Sequence, residues 1–386
     1  MAQCLVLLFS RRSLGFVLST NKRSFASSST VAALIPAEED SDDPYPYVYQ
    51  HLTSSIPYPK SLSPSSIMEF QKCPQSFLFQ YLWGIRQPTT PVLAKGSMCH
   101  AALEQIFDLE PADRTLENLQ NLYRKEWSVQ KQKETYKSLF LKDDEWCVAD
   151  EREWGLSGLK LLKNYVELED PRQVTRPNPV QREVWVKANL NVSGRSSSSS
   201  SAAASATDAS ENRPGDTFLV RGIMDRLDMI KNPGDRQVYL RLVDYKSGKA
   251  PQFKYSPSMN AKIAEETFFQ LKIYALLLRE SRAERTGLDL RTLRLLHLTS
   301  DNDGTEGPAQ YLDYDLGATA EERNAILDGL YQTLADTWTQ IRVLVDTQDP
   351  LQFHGCDRSF CWCHKCRPQF LPGTVWEPNE VMTKGQ

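Results

Sequence analysis

The sequence lacks several features that define common classes of protein. It has no uninterrupted apolar run of the roughly 18–20 residues that a membrane-spanning helix requires, so we expect no membrane partner. Its eight cysteines in 386 residues are too sparse for a small secreted fold held together by disulfides. No stretch has the Gly-x-x-x-x-Gly-Lys-Ser/Thr form of a P-loop, so any nucleotide-driven motor that works with this protein must be another chain.

Positive charge is not in excess either. Lys and Arg number 45 against 49 Asp and Glu, which gives a formal net charge of −4. A protein of this balance attracts phosphate only where basic side chains gather locally, for example in a groove. The overall charge therefore neither indicates nor excludes a nucleic acid as partner.

Acidic side chains are absent from residues 1–37, where basic residues are interleaved with many serines and apolar residues. This composition is typical of an organellar presequence. The segment Arg23-Ser24-Phe25 is similar to a mitochondrial processing site, so we predict import into the mitochondrion. A plastid transit peptide has a similar composition and is the alternative, and a tail that merely lacks acids is another.

Composition and periodicity divide the rest of the chain. Residues 38–60 are acidic and then rich in Pro and Tyr, which indicates a disordered linker. Residues 61–372 switch between helical and strand-like apolar patterns, so they are predicted to form one α/β domain. A Ser/Ala-rich insertion at 193–216 cannot bury enough apolar surface to become ordered, and residues 373–386 form a C-terminal tail.

The apolar patterns also predict the individual elements. Predicted helices begin near Pro64 and Gly96 and cover residues 115–132, 151–168, 261–280 and 319–345. Predicted strands cover residues 180–190, 218–230, 237–246, 293–299 and 310–316. Helices on both sides of a central group of strands favour a mixed sheet with helical layers.

The strongest chemical signal is Asp225, which ends a Gly-Ile-Met-Asp segment, together with Asp244 and Lys246 of an Asp-Tyr-Lys segment. Side chains two positions apart on a strand share a face, so Asp244 and Lys246 point the same way. A turn signal at residues 232–235 can bring the strand of Asp225 alongside. Two carboxylates suit Mg²⁺ or Mn²⁺, and such ions beside an ammonium group can promote phosphodiester hydrolysis. The alternative is a surface salt-bridge cluster beside a hairpin.

Five short motifs follow one another along the chain. They are Leu62-Ser63-Pro64-Ser65-Ser66 with Lys72-Cys73-Pro74, Gly96-Ser97-Met98-Cys99-His100, Gly222-Ile223-Met224-Asp225, Asp244-Tyr245-Lys246, and Gln270-Leu271-Lys272-Ile273-Tyr274. In this order they resemble the RecB/AddB-like branch of the PD-(D/E)XK nuclease superfamily, over about Leu62 to Pro368. The resemblance implies a restriction-endonuclease-like core, in which helices flank a mixed central sheet and extra helices precede it.

The resemblance also implies an activity. The protein is expected to hydrolyse DNA with Mg²⁺ or Mn²⁺, as an exonuclease on single strands or ends, in DNA repair or organellar DNA maintenance. Its implied partners are DNA and a helicase or repair protein on a separate chain. The rival hypothesis is a non-catalytic module that binds DNA ends or serves as a scaffold. Such a module would keep the fold and a structural Fe–S or zinc site but would cleave nothing.

Further site residues follow from the resemblance. It implies that His100 is an additional metal ligand or active-site contact, and that Gln270 and Tyr274 contact DNA or brace the site. The alternatives are a satisfied core histidine and ordinary helix packing. Glu183 is a weaker candidate acid, because it lies on the strand face opposite the apolar residues and is expected to be exposed.

Four cysteines lie within eleven residues near the C-terminus: Cys356, Cys361, Cys363 and Cys366. Such a group indicates a metal site rather than disulfides. In many of the nucleases that the chain resembles, one cysteine before the core and three after it hold a [4Fe–4S] cluster. The resemblance thus implies the ligands Cys73, Cys361, Cys363 and Cys366, with Cys356 as a substitute. The spacing is tighter than in those nucleases, so a local zinc site that uses His364 is the alternative, and the absence of any metal is another.

Overall fold

A computed structural model of the protein describes residues 55–175, 184–193, 216–231, 237–282, 289–299 and 309–366, all within one unit, Tyr45–Gln386. The helices in this part of the chain are α1 (Pro64–Lys72), α2 (Pro74–Phe77), α3 (Pro91–Gln105), α4 (Leu116–Gln130), α5 (Glu134–Lys137), α6 (Val148–Leu168), α7 (Pro257–Arg282), α8 (Ala320–Asp346) and α9 (Trp362–Cys366). The strands are β1 (Leu141–Lys142), β2 (Glu145–Trp146), β3 (Val184–Asn191), β4 (Thr217–Met224), β5 (Arg226–Lys231), β6 (Val238–Lys249), β7 (Leu290–Thr299) and β8 (Gln310–Asp315).

The first helices begin at residues that cap helix ends well. Ser63 accepts a hydrogen bond from the Ser66 backbone and Pro64 occupies the first turn of α1, as the sequence predicts. The start of α3 differs from its predicted place at Gly96. Thr90 caps that helix and Pro91 is its first residue, so α3 begins five positions earlier. The Thr-Pro pair is the signal that marks this start.

The central sheet has the strand order β5-β6-β7-β8. The β6–β7 pair is parallel and is connected through α7, whereas the β5–β6 and β7–β8 pairs are antiparallel. A separate antiparallel pair is formed by β3 and β4. The prediction of an α/β fold with a mixed sheet between helices is confirmed.

The predicted strand at 218–230 is two strands in the structure. The chain bends at Asp225, so β4 pairs with β3 and β5 pairs with β6. The prediction of one continuous strand was wrong: the apolar alternation shifts from even positions (Val220, Met224) to odd positions (Leu227, Met229) at the point where the chain changes sheet. The bend places Asp225 at the junction of the two sheets.

Apolar side chains pack against both faces of the central sheet. On β6, Leu242 belongs to the apolar layer that includes α1, α7 and α8, whereas Val243 and Tyr245 belong to the layer that includes α3, α4 and α6. Alternate side chains of a strand point to opposite faces. Asp244 and Lys246 therefore lie on the same side of the sheet as Leu242 and α7.

The folded part of the chain begins before the predicted boundary at Ser61. The Ile56 side chain is buried in the core, and the Ile56 backbone exchanges two hydrogen bonds with the side chain of Gln348, each 3.0 Å long. The linker prediction for 38–60 therefore fails from residue 55 onward. The predicted presequence, most of the Ser/Ala-rich insertion, the C-terminal tail and Glu183 lie outside the described residues. Among the helices that are described, none is long and apolar enough to span a bilayer.

Candidate active site

The structure brings Asp225 next to the strand that carries Asp244 and Lys246. Oδ2 of Asp225 accepts a hydrogen bond of 2.9 Å from the backbone nitrogen of Tyr245, the residue between those two. Nζ of Lys246 lies 2.7 Å from Oδ2 of Asp244. The bend before β5 and the alternation along β6 thus place two carboxylates and one ammonium group together.

His100 reaches the same place from the middle of α3. Its Nδ1 lies 3.1 Å from Oδ2 of Asp225, and its ring meets the Tyr245 ring edge-on, with 6.0 Å between the centroids. Each carboxylate therefore has its own basic partner: His100 for Asp225 and Lys246 for Asp244. The contact places His100 at the acidic centre, and its role as a metal ligand, rather than as a histidine satisfied by Asp225, stays a prediction.

Gln270 and Tyr274 join the site from α7. Gln270 Oε1 accepts a hydrogen bond of 3.0 Å from Lys246 Nζ, and Gln270 Nε2 donates one of 3.1 Å to the Tyr274 hydroxyl. The Tyr274 side chain is buried against Gly222, where an added Cβ would lie only 2.5 Å from Cε1 of the tyrosine ring. Gly222 and Tyr274, which belong to two different motifs, therefore form one packing contact. Its burial favours bracing over DNA contact as the role of Tyr274.

The two carboxyl groups differ in acidity. Burial and the nearby negative charge of Asp225 raise the pKa of Asp244 to about 6. Burial also opposes ionisation of Asp225, but His100 and the Tyr245 backbone outweigh it and lower the pKa of Asp225. Although burial disfavours the charged imidazole, the charge of Asp225 raises the pKa of His100. Close, buried negative charge of this kind is what a cation would stabilise.

The donor set fits a hard divalent cation. Carboxylate oxygens are the ligands that Mg²⁺ and Mn²⁺ prefer, and imidazole is an acceptable further ligand for Mn²⁺. In the described part of the chain, His100, Asp225 and Asp244 do not all lie within 4.8 Å of one another at their donor atoms. Lys246 pairs with Asp244, and His100 pairs with Asp225.

A buried charged network behind the site was not predicted. The guanidinium of Arg226, 1% exposed, forms paired hydrogen bonds with Asp228 and with Glu169 and donates a bond of 2.7 Å to the Tyr245 hydroxyl. Arg241 donates a further bond of 3.0 Å to Asp228. The network joins the end of α6 to β5 and β6, directly after Asp225, and fixes the strand whose backbone binds that carboxylate. The signal in the sequence is a charge at alternate positions within otherwise apolar strands.

The cysteines form a second potential metal site. The sulfur atoms of Cys73, Cys356, Cys361 and Cys363 all lie within 4.8 Å of one another, with Cys356 Sγ 4.0 Å from Cys363 Sγ. The substitute Cys356 therefore stands where the sequence analysis placed Cys366. The backbone of Cys366 ends α9, but its side chain lies outside the described residues.

Thiol acidity in this group is uneven. Hydrogen bonds from Cys363 and Cys73 lower the pKa of Cys361, and the same bonds raise the pKa of Cys73 and, to about 12, that of Cys363. The close packing of these thiols thus favours ionisation of Cys361 over that of Cys73 and Cys363. Full ionisation of four such thiols requires a cation, and soft metals supply one.

His364, the extra ligand of the zinc alternative, is not part of this group. Its Nε2 lies 2.6 Å from the backbone oxygen of Cys356. The segment is also fastened to the start of the domain, because Trp362 donates to the Ile85 carbonyl and Arg358 to that of Lys72, over 3.0 Å each. A zinc site here would therefore include Cys73 and would not be local to the C-terminus, as the alternative assumed.

Comparison with known proteins assigns the chain to a family. The model of the PD-(D/E)XK nuclease superfamily matches residues 61–367, which include both sites. A search of the curated proteins found no match. The matched region covers most of the 386 residues and has the mixed sheet and acidic centre described above. The chain therefore belongs to the PD-(D/E)XK nuclease superfamily.

Proposed function

We propose that the protein is a metal-dependent deoxyribonuclease that acts as an exonuclease on single strands or ends of DNA. The observation that carries this proposal is the convergence of Asp225, Asp244 and Lys246 at the bend between the two sheets. Membership of a nuclease superfamily gives the reaction class. The resemblance of the five sequence motifs to the RecB/AddB-like branch supports the assignment as an exonuclease.

Each side chain of the site has a different role in the proposed hydrolysis. Asp225 and Asp244 would hold one or two Mg²⁺ or Mn²⁺ ions, with His100 as accessory ligand. Such an ion, when bound, acts as a Lewis acid on the phosphodiester. Lys246 is kept in one position by Asp244 and Gln270, so its charge is available to offset negative charge that develops on the phosphate.

A cleavage assay tests this function. The full chain is incubated with end-labelled single-stranded and double-stranded DNA in Mg²⁺, Mn²⁺, Ca²⁺ or EDTA. We expect products of end-directed cleavage with Mg²⁺ or Mn²⁺ and none with Ca²⁺ or EDTA, because hydrolysis depends on the ion at the two carboxylates. Undiminished cleavage in EDTA contradicts the proposal. Binding without cleavage in every metal would favour the rival hypothesis of a non-catalytic module.

We propose that the four cysteines hold a [4Fe–4S] cluster, on the strength of the family resemblance and of the soft thiolate donors. Zinc is the second candidate, and the spacing favours it. Thiolates bound to one tetrahedral ion at about 2.3 Å lie within about 4 Å of each other, whereas a four-iron cluster holds its cysteines further apart. The sulfurs here lie within 4.8 Å of one another, closer to the single-ion arrangement.

We further propose that the protein works in the mitochondrion, with a helicase or repair protein as partner. The support for import is the lack of acidic residues in 1–37 and the basic residues spread through that segment. A fluorescent protein fused behind residues 1–37 is expected to enter mitochondria. Entry into plastids would favour the alternative, and a diffuse cytosolic signal would contradict import.

A further inference from the structure

One face of the β3–β4 pair carries an aromatic side chain and two cations. In the register of the pair, Trp185 lies opposite Ile223 and Lys187 lies opposite Arg221. Trp185 is 63% exposed, and both cations are exposed as well. Their alternate neighbours, such as Val186, point to the other face and are buried in the core. We call Trp185, Lys187 and Arg221 the ribbon face.

Within the part of the chain that the structure describes, no acidic side chain pairs with the cations of the ribbon face. Among the described residues, neither Lys187 nor Arg221 forms an ion pair, and the Arg221 guanidinium lies 5.8 Å from the centre of the Trp185 ring. The pair of Arg294 and Tyr311 in the central sheet differs, because there Asp313 binds the guanidinium through two hydrogen bonds of 2.7 and 2.6 Å. In a chain with net charge −4, an uncompensated basic patch indicates an anionic partner.

The ribbon face leads directly to the acidic centre. Ile223, opposite Trp185, precedes Asp225 by two positions, and a strand advances about 3.3 Å per residue. Because β4 ends at Met224, the ribbon face lies within a few residues of the bend at Asp225. A linear polyanion bound along the ribbon would reach the two carboxylates with its next units.

The chemistry of the ribbon face fits an unpaired strand. Cations contact phosphates of any nucleic acid, but an exposed indole stacks on a base only when that base is not stacked and paired within a duplex. We propose that the ribbon face binds single-stranded DNA and guides it to Asp225. This inference rests on the proposed nuclease function, which identifies the polyanion as DNA.

Equilibrium binding tests the role of Trp185. The full chain, in EDTA so that no cleavage occurs, is titrated into fluorescein-labelled (dT)20 and into a duplex of equal length. One stacked base contributes enough that Trp185→Ala is expected to raise Kd for (dT)20 about 5- to 100-fold, with little change for the duplex. Trp185→Phe keeps an aromatic ring and should retain most of the affinity. Tyr311→Ala, an exposed aromatic beside a neutralised arginine, is the matched control and should bind like wild type.

The salt dependence separates stacking from charge. The slope of log K against log salt is negative, and each lost phosphate contact reduces its magnitude by about 0.7 for a single strand. The double variant Lys187→Ala, Arg221→Ala should therefore reduce the magnitude of the slope by about 1.4. Trp185→Ala should weaken binding without a change in slope. Because all three side chains are exposed, thermal unfolding should be the same in every variant.

The outcomes distinguish this inference from the proposed function. If Trp185→Ala binds (dT)20 as tightly as wild type does, and the protein cleaves DNA with Mg²⁺, the proposed binding role of the ribbon face is wrong. The proposed nuclease function then still stands. An equal loss of affinity for (dT)20 and duplex overturns the preference for single strands. A wild-type protein that binds (dT)20 through Trp185 but cleaves nothing in Mg²⁺ or Mn²⁺ contradicts the nuclease and leaves the binding surface.

Discussion

Asp244→Asn is expected to reduce cleavage by at least about a thousandfold, at the upper end of the effect of removing one electrostatic group from an active site. The amide keeps the shape of the side chain but removes one of the two carboxylates that are proposed to hold the metal ion. Affinity for DNA should persist, because the phosphate contacts proposed for the ribbon face do not depend on Asp244. Asp225→Ala should abolish cleavage as well, and Lys246→Ala should reduce it about 100- to 1000-fold.

Asp244→Asn should not lower the stability of the folded protein. The pKa of Asp244 rises from the ordinary 3.8 to about 6 because the group is buried near Asp225. A carboxyl with a raised pKa stabilises the fold while protonated and loses that contribution as pH rises through this window. At pH 7 its ionisation therefore costs stability, and asparagine cannot ionise. We expect the thermal midpoint of Asp244→Asn at pH 7 to equal or exceed that of wild type.

Metal-dependent unfolding gives a readout that does not depend on activity. An ion that binds only the folded protein raises its thermal midpoint. Mg²⁺ or Mn²⁺ should raise the midpoint of wild type but not that of Asp244→Asn. Asp313→Asn, which removes a carboxylate paired with Arg294 on the same sheet, is the matched control and should keep both cleavage and the metal response. Wild-type cleavage by Asp244→Asn would rule out the proposed centre.

Local geometry explains which parts of this site the sequence predicts. Asp244 and Lys246 share a face because they are two positions apart on one strand, and Gln270 and Tyr274 because they are one helical turn apart. These relations need no knowledge of the tertiary fold. The structure adds what each pair faces: Gln270 meets Lys246 across 24 positions, and Tyr274 meets Gly222.

Contacts between distant segments explain what the sequence could not predict. The apolar alternation changes phase at Asp225, from Val220 and Met224 to Leu227 and Met229, but this change alone does not show that β4 and β5 pair with different strands. The charges of Arg226 and Asp228 stand out in an apolar strand, but their burial depends on Glu169, a second partner of Arg226 that lies 57 positions away. The choice between Cys356 and Cys366 also depends on where the C-terminal segment meets Cys73, which spacing alone does not determine.

Loss of the cysteine site is expected to destabilise the whole domain. A metal held by Cys73 and the C-terminal cysteines joins two segments that the hydrogen bond from Arg358 to Lys72 also joins, across 286 positions. If a crosslink of this span acts on the unfolded chain as a disulfide does, its entropic contribution is about 5 kcal/mol. That is comparable to the whole stability of many domains.

Cys73→Ala should therefore lower metal content, thermal midpoint and soluble yield together. The effect should be structural, because this cysteine does not contact Asp225, Asp244 or Lys246. Cys99→Ala is the matched control: that thiol is also buried, and burial raises its pKa to about 12, but it is not in the group. It should cost some packing energy without loss of metal. Equal metal content in Cys73→Ala and wild type would contradict a shared site.

The identity of the metal follows from analysis of the wild type rather than of Cys73→Ala, since either metal would use Cys73. Protein purified without oxygen should contain iron and be brown if the site holds a [4Fe–4S] cluster, and should be colourless with one zinc otherwise. Cys356→Ala and Cys366→Ala then test the ligand set. Because the sulfur of Cys356 already completes the group of four, its removal should reduce metal content, whereas removal of Cys366 should not. The reverse result would restore Cys366 as the fourth ligand.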